Sequence, residues 1–321
     1  MRALLSEPIS FAIPVKEPFN FALYSSVFSL GEYKLPFAYG STTWRTIIET
    51  NTGKMLPVEV SPDLPNKSKT MLVRVFRDAG REEKQLIRKT ISDVFCSEFA
   101  LRGNNRVFQN GFGDIFRRYY GLKPHLSQDP YQSLVKIVIR QQIGAEYAKR
   151  AITNVTERFG TKVTVGGVDF FAFPNARRLS QTSKRELLAT GVGYKWRYIR
   201  RLSKEVVDGD LDLDYLRTLN EDKVVEELEE RVGIGAWSSR VFLFDGLHRV
   251  DTYPIFDITV QRALLSLRGH DSSNVSYDGI DWEDFGPQAL AGFYATYLFA
   301  YFREMVRVDR QFKRRWKVHR F

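Results

Sequence analysis

The sequence predicts an α+β protein, a β-rich domain over residues 1–100 followed by an all-helical domain over 101–321, and three observations carry that expectation. Residues 19–30, 35–50 and 71–76 are rich in aromatic or β-branched side chains and are separated by turn formers such as Asn51-Thr52-Gly53 and Pro62-Asp63-Leu64-Pro65. From residue 81 the apolar period changes, and Ile87, Ile91 and Val94 fall on one face at i, i+4 and i+7. Asp129-Pro130 then places a capping side chain directly before a proline suited to the first helical position. At 321 residues the chain is long enough for two domains with cores of their own.

Further helices follow in order. The helix after Pro130 carries Leu134, Ile137 and Val138 and stops near Gln141-Gln142-Ile143-Gly144. Residues 145–159 set Ala148, Ala151, Ile152, Val155 and Phe159 on one stripe that ends at Gly160. Ser183 and Glu186 form a capping box, and Gly191-Val192-Gly193 leads into a basic helix that Asp208-Gly209 closes. Asn220 caps residues 221–230, where Val224, Val225 and Leu228 repeat at helical spacing. A turn at Gly233-Ile234-Gly235 precedes a helix that begins at Trp237, with Val241 and Phe244 four and seven residues on. From Pro287 a last helix carries Leu290, Phe293, Tyr294, Tyr297 and Tyr301 on a core stripe.

Composition removes several function classes. The single cysteine, Cys96, excludes a disulfide framework, a cysteine zinc site and a four-cysteine iron–sulfur cluster. The four histidines lack metal-ligand spacing, and neither a nucleotide-binding loop nor a serine elbow is present. Residues 1–14 do not read as a leader, and residues 286–302 are too short and too polar for a membrane span. Of the net charge of +10, residues 1–100 hold only +2, whereas 177–205 hold +7 and 303–321 hold +6. Two basic segments flanking a glycine hairpin favour nucleic acid as the partner; a disordered basic tail is the competing reading of 303–321.

The hairpin at 232–237 supplies the chemistry. Glycines let a backbone lie close to a phosphate, and the free amides at the start of the next helix point at the anion. Twenty residues beyond Trp237, Asp257 opens another helix. An N-cap aspartate needs no catalytic role, but amides that hold it ionised and oriented also suit it to stabilise a developing positive charge. Asp251, before Thr252-Tyr253-Pro254, reads as a turn residue and ranks second.

Asp129-Pro130-Tyr131, Gln141-Gln142-Ile143, the hairpin and Phe256-Asp257 together resemble the helix-hairpin-helix-Gly/Pro-Asp (HhH-GPD) family of DNA glycosylases, over about residues 100–305. The motifs are most similar to the AlkA-type 3-methyladenine branch, while residues 191–195 and 285–291 look more like the 8-oxoguanine branch. This resemblance implies a TBP-like antiparallel N-terminal domain and a monomer that acts on double-stranded DNA containing damaged bases, in the cytoplasm of a prokaryote or the nucleus of a eukaryote. It implies base flipping and hydrolysis of the N-glycosidic bond, with Asp257 as catalytic carboxylate and Trp237 in the base pocket. Bifunctional members carry a lysine at the position of Trp237, so the resemblance implies a monofunctional enzyme without lyase activity. The DNA contacts it implies are Gly233, Gly235 and Ser238 at the phosphate, Gln142 as wedge, and Tyr194 with Lys195 at the opposite strand. No cofactor is implied beyond a monovalent Na+ or K+ on the carbonyls of Glu229, Arg231 and Ile234. Gln288 stands near where the AlkA type has a rim tryptophan. An 8-oxoguanine glycosylase without its lyase step and a non-catalytic damaged-DNA binding protein are the alternatives.

Overall fold

In a computed structural model the described residues are 8–28, 38–39, 43–64, 68–100, 113–270 and 288–316. The first part is a five-stranded antiparallel sheet of order β1-β5-β4-β3-β2, built from β1 (Ile9–Pro14), β2 (Ala38–Tyr39), β3 (Trp44–Glu49), β4 (Met55–Pro62) and β5 (Thr70–Val75). Trp44 pairs with Val60, Ile48 with Leu56 and Val58 with Val75, so buried side chains from three strands share one face. Helices α1 (Phe21–Phe28) and α2 (Arg81–Val94) join that core, α2 through Ile87, Ile91 and Val94 as its period required.

Two sequence expectations are corrected here. The described part of 19–30 does not form a strand: 21–28 are helical, because Phe21, Tyr24 and Val27 fall on one buried face. Phe21 and Tyr24 both pack against Phe95, with ring centroids 5.7 and 5.3 Å away. The remainder of the chain is also not all-helical. After α3 (Gly113–Arg118), α4 (Pro130–Arg140) and α5 (Ala145–Phe159), strands β6 (Thr161–Val165) and β7 (Val168–Ala172) form a hairpin. Its turn is Gly166-Gly167, both at positive φ as a two-residue hairpin turn requires. Phe170 and Ala172 of β7 pack on Ile47 of β3, on the sheet face opposite Trp44 and Ile48.

Helices α6 (Ala176–Ser180), α7 (Lys184–Leu188), α8 (Trp196–Asp208), α9 (Glu221–Glu229), α10 (Ala236–Asp245), α11 (Ile258–Leu267), α12 (Ala291–Val308) and α13 (Arg310–Arg315) complete the order. One continuous core runs from the sheet through α12. The boundary expected near residue 100 falls beside residues 101–112, outside the described part. Lys123 ties the two sides together: its buried ammonium donates to the carbonyls of Lys16 and Phe99, each at 2.8 Å. In the basic C-terminal segment, α13 folds back on α12, with Phe312 buried against Tyr301 and Phe302 and Trp316 buried against Phe312. Residues 317–321 and the 285–287 part of the 8-oxoguanine-like segment lie outside the described residues. Among the described residues no helix is long and apolar enough to cross a membrane.

Candidate active site at the hairpin

Helices α9 and α10 are joined by residues 230–235. Asn220 caps α9 through Lys223 N at 3.0 Å, and the glycine turn ends with Gly235 in extended conformation as the N-cap of α10. The Ser239 amide is the first to bond back, to Gly235 O at 3.0 Å, so the amides of Gly235, Ala236, Trp237 and Ser238 precede any intrahelical acceptor. These are the amides expected to face an anion, and α10 starts one residue earlier than Trp237. The first turn is braced by Ser239 Oγ donating to Glu229 Oε1 at 2.9 Å.

Gly233 is required by its surroundings. Its φ is +95°, and a Cβ there would lie 2.4 Å from Cγ of Tyr198, a half-buried ring on α8. The Tyr198 ring meets that of Tyr194 edge-on at 6.0 Å, and the Tyr194 hydroxyl donates to Gln142 Oε1 at 3.0 Å. Gln142 is exposed, and its backbone sits in the left-handed region at φ +54°, a strained position that often marks a working residue. A line of contacts thus runs from the glycine turn through Tyr198 and Tyr194 to Gln142. Gln141 closes the loop, its Nε2 donating to Gly233 O at 2.7 Å and Ser238 Oγ at 2.8 Å.

Two expected DNA contacts are placed differently. Lys195 is 2 % exposed and points inward, donating to Ile139 O at 2.7 Å and to Gln141 O. Burial pulls its pKa down to about 8, and it caps the carbonyl end of α4, where a cation suits the helix dipole. Lys195 therefore lies buried beneath the Gln141-Gln142 turn and does not present its ammonium at the surface. The Ser238 hydroxyl is likewise buried and accepts from Gln141 Nε2, leaving only its amide at the open helix start.

Asp257 is the N-cap of α11 and is 5 % exposed. Its Oδ1 accepts the amides of Thr259 at 2.8 Å and Val260 at 3.2 Å. Its Oδ2 accepts the indole N–H of Trp237 at 2.7 Å and, more loosely, the Tyr253 hydroxyl at 3.4 Å. Burial raises the carboxyl above the ordinary aspartate range, while Trp237, the two amides and Tyr253 pull it back. The Tyr253 ring stands edge-on to Phe244 of α10 at 5.2 Å and Phe299 of α12 at 5.6 Å, an aromatic floor beneath the carboxylate. Phe256 and Ile258, on either side of Asp257, are exposed. Asp251 is exposed and acts on Glu221, whose pKa burial raises first and Asp251 second. Of the two candidate aspartates, only Asp257 is held by donors beside the hairpin.

Gln141, Tyr198 and Tyr253 had no assigned role in the sequence. Gln141 lay inside a quoted motif, and Tyr253 lies four residues before Asp257, but nothing local marks Tyr198, whose partner is thirty-five residues away. Of the basic segment at 177–205, Arg197 and Arg200 are exposed on α8, while Arg201 pairs with Glu205 and Lys204 with Asp208. Gln288 is exposed at the approach to α12.

A glycine hairpin whose second helix presents a tryptophan to a capped, buried aspartate defines the class. Residues 135–277 match the model of the HhH-GPD superfamily base excision DNA repair protein family. The chain is 24 % identical over 183 residues to a DNA-3-methyladenine glycosylase of Bacillus subtilis (strain 168), covering 56 % of this chain and 60 % of that one. It is 25 % identical over 142 residues to a DNA-3-methyladenine glycosylase of Saccharomyces cerevisiae, covering 43 % and 47 %. The matches therefore span less than two thirds of those relatives. Among solved structures, a 3-methyladenine DNA glycosylase from Archaeoglobus fulgidus superposes with a TM-score of 0.79 at 24 % identity, covering 91 % of this chain and 98 % of that one. The Clostridium acetobutylicum 8-oxoguanine glycosylase/lyase in its apo-form superposes with a TM-score of 0.65 at 20 % identity, covering 92 % and 99 %.

Proposed function

We propose that the chain is a monofunctional DNA glycosylase that removes damaged purines, alkylated ones foremost, from duplex DNA and leaves an abasic site. The observation that carries this reading is Asp257, a buried carboxylate with one oxygen fixed by helix amides and the other held beside Trp237 at the hairpin. In this mechanism the amides of 235–238 grip a backbone phosphate, and Gln142 with Tyr194 fills the gap left by the flipped nucleotide. The bond from C1′ to the base nitrogen breaks, and the base leaves with the bonding electrons. Asp257 stabilises the oxocarbenium-like sugar until water supplies the hydroxyl at C1′, its proton passing to solvent or base. An alkylated purine already carries positive charge, so it departs with little assistance. Residue 237 is tryptophan and has no amine with which to form a Schiff base, which supports hydrolysis without strand scission.

A monovalent cation on the carbonyls of Glu229, Arg231 and Ile234 belongs to the same proposal. Arg231 O accepts only the Ile234 amide at 3.0 Å within this turn and keeps a lone pair, and backbone carbonyls are the ligand type that hard cations take. The cation would add positive charge at the phosphate. The testing experiment is excision from duplexes bearing 3-methyladenine, 7-methylguanine, hypoxanthine, uracil or 8-oxoguanine, followed by alkali cleavage. Release of alkylpurines with no nick before alkali is the expected result, and excision confined to 8-oxoguanine would favour the second reading. That reading draws on the Tyr194–Gln142 contact, because Tyr194 belongs to the 8-oxoguanine-like segment. Binding without release of any base would instead favour a damaged-DNA binding protein.

A further inference from the structure

We propose that Trp237 is a positioning residue for Asp257, and that the reaction uses its indole N–H where the resemblance implies only a place in the base pocket. The inference deepens the glycosylase reading and rests on it. A carboxylate offers about four lone-pair sites. On Oδ1, two are taken by the amides of Thr259 and Val260, an arrangement that belongs to the N-cap. Oδ2 is the oxygen left for chemistry, and its closest donor is the Trp237 Nε1–H at 2.7 Å, against 3.4 Å for the Tyr253 hydroxyl. The tyrosine fills its site loosely, so that site is the one a water or the developing sugar cation can claim. The indole fills the other site firmly.

An indole N–H can only donate and does not titrate in the working range, so it favours the charged carboxylate at every pH. A water in its place could turn and donate to the carboxyl instead. The ring is held for this task. Its helix start is braced by Ser239 on Glu229 and by Gln141 on Ser238, the residues on either side of the turn. The other ionisable groups around the site are Tyr253 from the loop before α11, Asp245 at the end of α10, and Arg140 at the end of α4, which both act on Tyr253. Glu146 of α5 and Arg140 both act on Arg303 of α12. None of these is bonded to Trp237, so substitution of the indole leaves them in place.

The test is Trp237→Phe, which keeps an apolar ring and removes the donor, beside Trp237→His, which restores an N–H. Two readouts are taken: kcat and KM against pH, and the titration of the Asp257 carboxyl by carbon NMR, assigned with Asp257→Asn. For Trp237→Phe we expect kcat near neutral pH to fall about tenfold with KM within twofold, and both the acid limb and the carboxyl titration to move up by about one pH unit. Trp237→His recovers part of each change. An unmoved titration in a folded Trp237→Phe protein overturns the inference, as does a raised KM or altered lesion preference with the acid limb unchanged. The NMR titration needs no substrate, so it decides the matter even if wild-type protein releases no base and the glycosylase reading itself falls.

Discussion

Substituting Gly233 by alanine tests whether the hairpin is set by the helix it leans on. At φ +95° the new residue enters the left-handed region, which costs about 1–2 kcal/mol for an L-residue. Its methyl would also stand 2.4 Å from Tyr198 Cγ and 2.8 Å from both Cδ atoms, so the ring or the turn must move, a further cost of about 1–3 kcal/mol. The sum is roughly 2–5 kcal/mol, and for 321 residues each kcal/mol lowers the melting temperature by roughly 1.5 °C. Differential scanning calorimetry should therefore show a drop of about 3–8 °C. Gly235→Ala is the internal control. At φ −131° any residue is allowed, and its Cβ meets nothing within 4 Å, so stability changes by less than about 1 kcal/mol. Both variants lose affinity for duplex DNA, about tenfold for Gly235→Ala, because the methyl stands beside the exposed amides. A Gly233→Ala protein that melts within a degree of wild type would refute the claim that Tyr198 and the turn are locked together.

Four further outcomes follow from the site. Asp257→Asn should abolish excision in single-turnover assays while duplex affinity stays within a few-fold, because the carboxylate serves the transition state; measurable turnover would return the role to Asp251. The wild-type rate should fall as pH drops through a value above the ordinary aspartate pKa, since burial raises that of Asp257 and only the ionised form works; a limb at or below 3.8 would contradict the burial argument. Lys195→Met keeps the buried stem but strips the α4 end of its donor, so the melting temperature should fall and the fluorescence of 2-aminopurine beside the lesion, a signal of flipping, should rise less on binding. Duplex affinity should fall steeply between low and physiological salt, with Arg197→Ala and Arg200→Ala each reducing the slope by about one, and a flat response would remove α8 from the DNA surface.

The parts of the site that were legible in the sequence are those built from local chemistry. Asp129, Ser183, Asn220 and Asp257 each cap a helix as their positions predict, because a cap depends on neighbours two or three residues away. What failed depends on partners distant in the chain. The aromatic run at 19–28 reads as a strand until Phe95 is brought against it, at which point a helical face buries more ring surface. Lys195 looks like a surface cation because its acceptors, the carbonyls at the end of α4, lie more than fifty residues earlier. The β6–β7 hairpin is a different kind of miss: alternation at Thr161-Lys162-Val163-Thr164-Val165 before Gly166-Gly167 was a readable signal.

That small hairpin has a bearing on how the protein can be divided. Phe170 and Ala172 cover Ile47, and Met55 and Phe76 pack around them, so the second half of the chain reaches back and roofs the far face of the first half's sheet. A cut near residue 100 would bare apolar surface on both products, in addition to stranding the Lys123 ammonium. In this arrangement the two halves are expected to unfold together, since trimming the sheet away leaves Phe170 and Ala172 without their cover. Slowly exchanging amides in β3 and in β7 should consequently be released together, since neither element keeps its cover once the other has opened.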